Sequence, residues 1–130
     1  MISPTESPRV ILCVDDEEAV LEYEKYLLEQ FGYKVFAARS GREALQLPAV
    51  REFDLVVLDY HMPGMNGHEV ASVMKRLRPD LKVILLSGSD VPSHALASVD
   101  AFVEKPVDGQ QLLSIVAELC ESRLQSPLLS

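Results

Sequence analysis

Three aspartates, a serine and a lysine follow directly on short apolar runs in this chain. Val14 leads into Asp15-Asp16-Glu17, Leu58 into Asp59-Tyr60, Leu86 into Ser87-Gly88, and Val103 into Glu104-Lys105-Pro106. If those runs lie side by side, the five residues converge. Carboxylates packed closely cannot all stay ionised without cost, so one pKa rises unless a cation sits among Asp15, Asp16 and Asp59. The ligands on offer are hard oxygens. Mg²⁺ suits such a set, because it takes one or two carboxylates, keeps waters and leaves room for phosphate oxygens. A carboxylate such as Asp59 can attack phosphorus and form an aspartyl phosphate. Lys105 is a compact cation for Asp59 or for phosphoryl oxygens, and Ser87 offers those oxygens a hydroxyl. Each residue also has a plainer reading. Asp15 and Asp16 suit the start of a helix, and Asp59 a turn ahead of Pro63-Gly64. Lys105 reads as a solvated loop lysine and Ser87 as a turn residue.

The elements that must position these residues show in the apolar pattern. Runs at Val10–Val14, Lys34–Ala38, Leu55–Leu58, Leu81–Leu86 and Ala101–Val103 are too short for helices, and their continuous apolar character implies strands buried on both faces. Between them lie segments of helical spacing. Val20, Tyr23, Leu27 and Phe31 share one face of the first. Ala44 and Leu47 do so in the second, Val70, Val73 and Leu77 in the third, and Leu112, Ile115, Val116 and Leu119 in the last. Ser40 with Glu43, Asn66 with Glu69, and Asp108 with Gln111 have the spacing of helix N-caps. Phe31-Gly32 and Arg78-Pro79 have the character of helix stops. The stretch from Ser87 to Asp100, with Pro92 and a short run at His94–Ala97, is the weakest helix. Alternating strands and helices imply a parallel sheet with helices on both faces and right-handed crossovers. In such sheets ligands bind outside the carboxyl ends of the strands, where the five residues stand.

Composition bounds the rest. A chain of 130 residues can bury one core, and a formal net charge of −8 argues against direct grip on nucleic-acid phosphates. Such a chain suits a cation or a partner with a basic face. Cys13 and Cys120 lie in apolar or amphipathic segments and make no disulfide or zinc spacing, which points to core residues in a reducing compartment. Met1 to Arg9 shows no signal peptide and no run reaches membrane-spanning length, so the expected location is the cytosol.

From about Arg9 to about Arg123 the sequence resembles the receiver domains of bacterial two-component response regulators. Four pieces carry the resemblance: Val14-Asp15-Asp16-Glu17, the stretch Leu58-Asp59-Tyr60-His61-Met62-Pro63-Gly64-Met65-Asn66-Gly67, Leu86-Ser87-Gly88, and Phe102-Val103-Glu104-Lys105-Pro106. The second holds Asp-x-x-Met-Pro-x-Met-x-Gly and is the most specific. The resemblance implies an α/β fold, a flavodoxin-like, doubly wound, five-stranded parallel sheet of order 2-1-3-4-5. It divides the chain into an N-terminal tail (1–8), a receiver domain (9–124) and a C-terminal tail (125–130). It makes Asp59 the phosphoacceptor, with Mg²⁺ held by Asp15, Asp16, Asp59 and the backbone carbonyl of His61. Ser87 and Lys105 contact the phosphoryl group, Ser87 and Phe102 act as switch residues, and the Lys105-Pro106 bond is cis. It implies a signalling switch rather than an enzyme with a separate substrate. The phosphoryl donor is a histidine kinase or histidine phosphotransfer protein, and output runs through a downstream protein or a fused domain. Neither nucleic acid nor membrane is bound directly, and the state is a monomer or a phosphorylation-dependent dimer.

Two features depart from the family pattern. The stretch from Ser87 to Lys105 is about one helical turn short, so a shortened fourth helix is expected. Phe102 stands where a tyrosine is common; it reads equally as a switch residue and as a core residue of the fifth strand. His61 and Ser89 occupy the two positions that influence water attack on the phosphoryl group, and His61 reads equally as an exposed turn residue. Other classes fit less well. A phosphatase with an aspartyl-phosphate intermediate wants a second carboxylate where His61 stands. A flavin-binding protein wants a Gly/Ser/Thr phosphate loop where the acidic Asp15-Asp16-Glu17-Glu18 stands. A receiver-like module that takes no phosphate has no need of the full acidic set and Lys105.

Overall fold

A computed structural model describes residues 8–47, 52–88 and 91–125 of the chain. Five strands, β1 (Val10–Val14), β2 (Lys34–Ala38), β3 (Leu55–Asp59), β4 (Lys82–Ser87) and β5 (Ala101–Glu104), form one sheet of order β2-β1-β3-β4-β5. All pairings are parallel, and the register sets Val14 opposite Leu58 and Asp59 opposite Leu86. Five helices alternate with them: α1 (Glu18–Glu29), α2 (Gly41–Leu45), α3 (Gly67–Leu77), α4 (Ser93–Ala97) and α5 (Gly109–Gln125). Gln125, expected to begin the tail, is the last residue of α5. None of these helices is long and apolar enough to cross a membrane.

Side chains alternate across the sheet and build a core on each face. Leu12, Val14, Val56, Leu58, Val83 and Leu85 pack with Ala44 of α2 and Val70, Ala71 and Met74 of α3. Ile11, Cys13, Leu55, Val57, Ile84 and Leu86 pack with Leu21 and Leu28 of α1 and Leu112, Val116 and Cys120 of α5. Both cysteines are therefore buried and unbridged core residues.

Two helix starts match the sequence reading closely. At α3 the capping box is complete, with Glu69 N–H donating to Asn66 Oδ1 and Asn66 N–H to Glu69 Oε1, both at 2.9 Å. At α2 the Ser40 Oγ accepts from Glu43 N–H, while the Glu43 carboxylate answers Arg39 N–H instead of Ser40. The third differs: Asp108 accepts from Gln110 N–H, and not through any exchange with Gln111. Gly32 (φ 91) follows the end of α1 in a left-handed conformation, and Arg78 caps α3 ahead of Pro79.

The helix faces are corrected in part. In α1 the buried stripe is Leu21, Glu24 and Leu28, whereas Tyr23 and Phe31 are exposed. The face read from the sequence is the neighbouring stripe, which turns toward α5: a Cβ on Gly109 would meet the Tyr23 hydroxyl and Leu27. A charged residue within the inner stripe hid it from the apolar pattern. In α3 the buried stripe is Val70, Ala71 and Met74, and Leu77 is exposed. The fourth helix is short, five residues starting after Pro92.

Candidate functional site

The parallel sheet delivers all three aspartates to one edge. Asp15 leaves β1 with its N–H donating to Ala38 O on β2 at 3.1 Å, and its Oδ1 accepts from Glu17 N–H at 2.9 Å. That bond turns the chain away from the sheet and into α1. Asp59 is the last residue of β3. Its neighbour Tyr60 donates N–H to Leu86 O at 2.8 Å, which keeps the loop after β3 against β4. Asp15 is wholly buried, Asp59 nearly so, and Asp16 half-buried. One carboxylate oxygen from each of Asp15, Asp16 and Asp59 falls within 4.8 Å of the others.

Lys105 closes the cluster. Its backbone N–H donates to Ser87 O at 2.8 Å, which ties the loop after β5 to the end of β4. Its Nζ lies 3.0 Å from Asp59 Oδ1 and 3.5 Å from Asp15 Oδ2. The following Lys105-Pro106 bond is cis. Ser87 is fully buried, and its Oγ has no hydrogen-bond partner among the described residues. Buried hydroxyls are nearly always paired, so this one stands out among the described residues.

Electrostatics follow from the packing. Burial pushes the Asp59 carboxyl above its ordinary range; the hydrogen bond to Lys105 opposes this, and the Asp15 and Asp16 charges add to it. For Lys105, burial favours the neutral amine. The Asp59 hydrogen bond and the Asp15 and Asp59 charges outweigh it, so its pKa rises and the ammonium is secure.

The remaining expected residues are placed less tightly. His61 is exposed, its ring edge-on to Tyr60 with centroids 4.8 Å apart. Phe102 is half-buried and packs against the α2–α3 core. Ser89 lies outside the described residues. Three features went unread in the sequence. A Cβ on Gly67 would stand 2.6 Å from Asp59 O and 3.0 Å from Tyr60 Cα, so α3 begins in contact with the end of β3. Glu24 lies 1% exposed in the α1–α5 core beside the buried Cys13 thiol, its carboxylate poorly satisfied. His68, His94 and Ser98 meet between α3 and α4. Only the first carried a signal, a glycine fixed within a motif.

Residues 11–117 match the family model described as the response regulator receiver domain. The chain belongs to that family. Members are signalling switches, generally not enzymes of the usual kind, and bind Mg²⁺ at an acidic pocket. Over 111 residues this receiver domain is 39% identical to the response regulator MprA of Mycolicibacterium vanbaalenii, covering 82% of this chain and 48% of that protein. Over 130 residues it is 31% identical to the sensor protein GacS of Pseudomonas syringae pv. syringae, covering 93% of this chain and 14% of that one. It thus spans half or less of the curated relatives it matches. In structure it resembles the CheY-like receiver domain protein of Methanospirillum hungatei, with a TM-score of 0.83, 31% identity and coverage of 91% and 98% of the two chains. The three clustered carboxylates, with no cysteine or histidine among them, fit a hard cation such as Mg²⁺ by donor chemistry.

Proposed function

We propose that this receiver domain is a phosphorylation-dependent switch in which Asp59 accepts a phosphoryl group from a histidine kinase or histidine phosphotransfer protein. The observation that carries the reading is the Asp59 carboxylate, buried at the strand edge with Lys105 Nζ on one oxygen at 3.0 Å. Lys105 holds one Asp59 oxygen, so the other is left to attack phosphorus. As the new O–P bond forms, the bond from phosphorus to the donor's imidazole nitrogen breaks, and that nitrogen keeps the electron pair. Asp15, Asp16, Asp59 and the His61 carbonyl would hold Mg²⁺, which would supply charge neutralisation for the phosphoryl oxygens. After transfer, Lys105 pairs with a phosphoryl oxygen and the Ser87 hydroxyl donates to another.

The adduct adds up to about two negative charges at an already acidic edge. Ser87 shifts toward the phosphoryl group and Phe102 follows by packing, since it has no hydroxyl to bond. Output then runs through protein contacts, to a downstream protein or to further domains of a longer chain. The fusion of similar receiver segments within much longer sensor proteins supports that last alternative.

Intact-mass spectrometry after incubation with Mg²⁺ and acetyl phosphate tests the reading. One added phosphoryl mass is expected, absent without Mg²⁺ and absent in Asp59→Asn. An adduct that survives in Asp59→Asn overturns the assignment of the acceptor.

A further inference from the structure

Outside the acidic pocket, α3 and α4 bring two of the chain's three histidines together. The rings of His68 and His94 lie 5.1 Å apart between centroids, with planes at 84°. Neither helix contributes to the aspartate cluster. His68 Nδ1 is 3.1 Å from Ser98 Oγ, and the Ser98 hydroxyl donates its single proton to Ala95 O at 3.2 Å. In the tautomer with its proton on Nδ1, His68 donates to Ser98 Oγ and its lone pair stands on Nε2. Metal-binding histidines are commonly oriented in this way, by a hydrogen bond from the far ring nitrogen.

The spacing fits as well. Zinc–nitrogen bonds of about 2.0–2.1 Å set each ring centre roughly 3.2 Å from the metal. Centres 5.1 Å apart lie within the span that two such bonds can bridge once the His94 ring turns out of its edge-on contact. We propose that His68 and His94 form a two-histidine site for a borderline divalent cation of the Zn²⁺ class. His68 Nε2 is one ligand, a nitrogen of the exposed His94 ring, turned about its χ2, is the second, and water fills the open positions. Imidazole selects Zn²⁺, Ni²⁺ or Cu²⁺ over Mg²⁺, which keeps to the oxygens of the aspartate cluster. Both cysteines are buried, so His61 is the competing imidazole among exposed residues. Such an ion would staple α4 to α3, just beyond the strand that ends in Ser87.

Zn²⁺ titration of the whole chain in excess Mg²⁺ tests this, by calorimetry and by the ring resonances of the histidines. One equivalent should bind, moving the His68 and His94 signals together. Binding should be lost in His94→Ala, an exposed position whose folding is checked by circular dichroism. It should weaken about tenfold in Ser98→Ala, which removes the orienting partner, and persist in Asp59→Asn and His61→Asn. Absence of saturable binding overturns the proposal. So does binding unchanged in His94→Ala, or shifts confined to His61.

Discussion

Glu24 is 1% exposed and sits beside the buried Cys13 thiol, a weak donor that leaves its carboxylate poorly satisfied. Burial, then the nearby Asp15 charge, pushes its pKa from 4.5 to about 8. Between those pH values the folded chain keeps a proton that the unfolded chain releases. Stability is therefore fullest below pH 4.5 for this group and falls as pH rises toward 8, by about 1.4 kcal/mol per unit at most. Glu24→Gln removes that penalty. Urea denaturation should show the variant more stable by on the order of 2–3 kcal/mol at pH 7, with the gain vanishing near pH 4.5; an equal gain at both would exclude ionisation as its source. Ser87 is a buried hydroxyl with no hydrogen-bond partner among the described residues, and the phosphoryl group proposed for Asp59 would supply one. Ser87→Ala should leave the unphosphorylated fold within about 1 kcal/mol of its original stability. Acetyl-phosphate labelling should slow on the order of tenfold, since a hydrogen bond to a charged group is worth about 1.5–3 kcal/mol. Normal labelling in that variant would remove Ser87 from the site.

At the scale of elements, the end of β3 and the start of α3 are one mechanical unit. Gly67 N–H donates to Tyr60 O at 2.9 Å, and a methyl at Gly67 would press on Asp59 O. Gly67→Ala should cost about 1–3 kcal/mol by overpacking and also slow labelling at Asp59, read by denaturation and mass in parallel. Loss of neither would mean the loop yields freely. β1, β3 and β4 were readable because burial on both faces makes their apolar runs continuous, whereas β2, at the sheet edge, exposes Lys34, Phe36 and Ala37 and was found from its run alone. Asp15, Asp59, Ser87 and Lys105 were found because each directly follows such a run or stands one residue beyond it. The α1 face was misread because Tyr23, Leu27 and Phe31 make a better apolar stripe than Leu21, Glu24 and Leu28. Nothing local announces that a glutamate is inside. The His68–Ser98–His94 group is likewise invisible in sequence, because its members are brought together only by the packing of α3 on α4.

The molecule as a whole carries a formal charge of −8, and three carboxylates meet at one edge. A divalent cation bound there should stabilise the fold by mass action, about 2.7 kcal/mol at a hundredfold excess over its dissociation constant. Thermal melts should rise with Mg²⁺ and fall back with a chelator, and Asp15→Asn should lose most of the response. A melt unmoved by Mg²⁺ would argue against cation binding at this edge. The order β2-β1-β3-β4-β5 has a further meaning during biosynthesis. A domain of this size folds as a unit once its chain is complete. Lys105 follows β5, the last strand, so a chain made only as far as β3 contains all three aspartates but lacks β4, β5 and the ammonium that pairs with the carboxylates. A complete site is in that sense a certificate of finished synthesis, and fragments released early would carry the aspartates without their lysine.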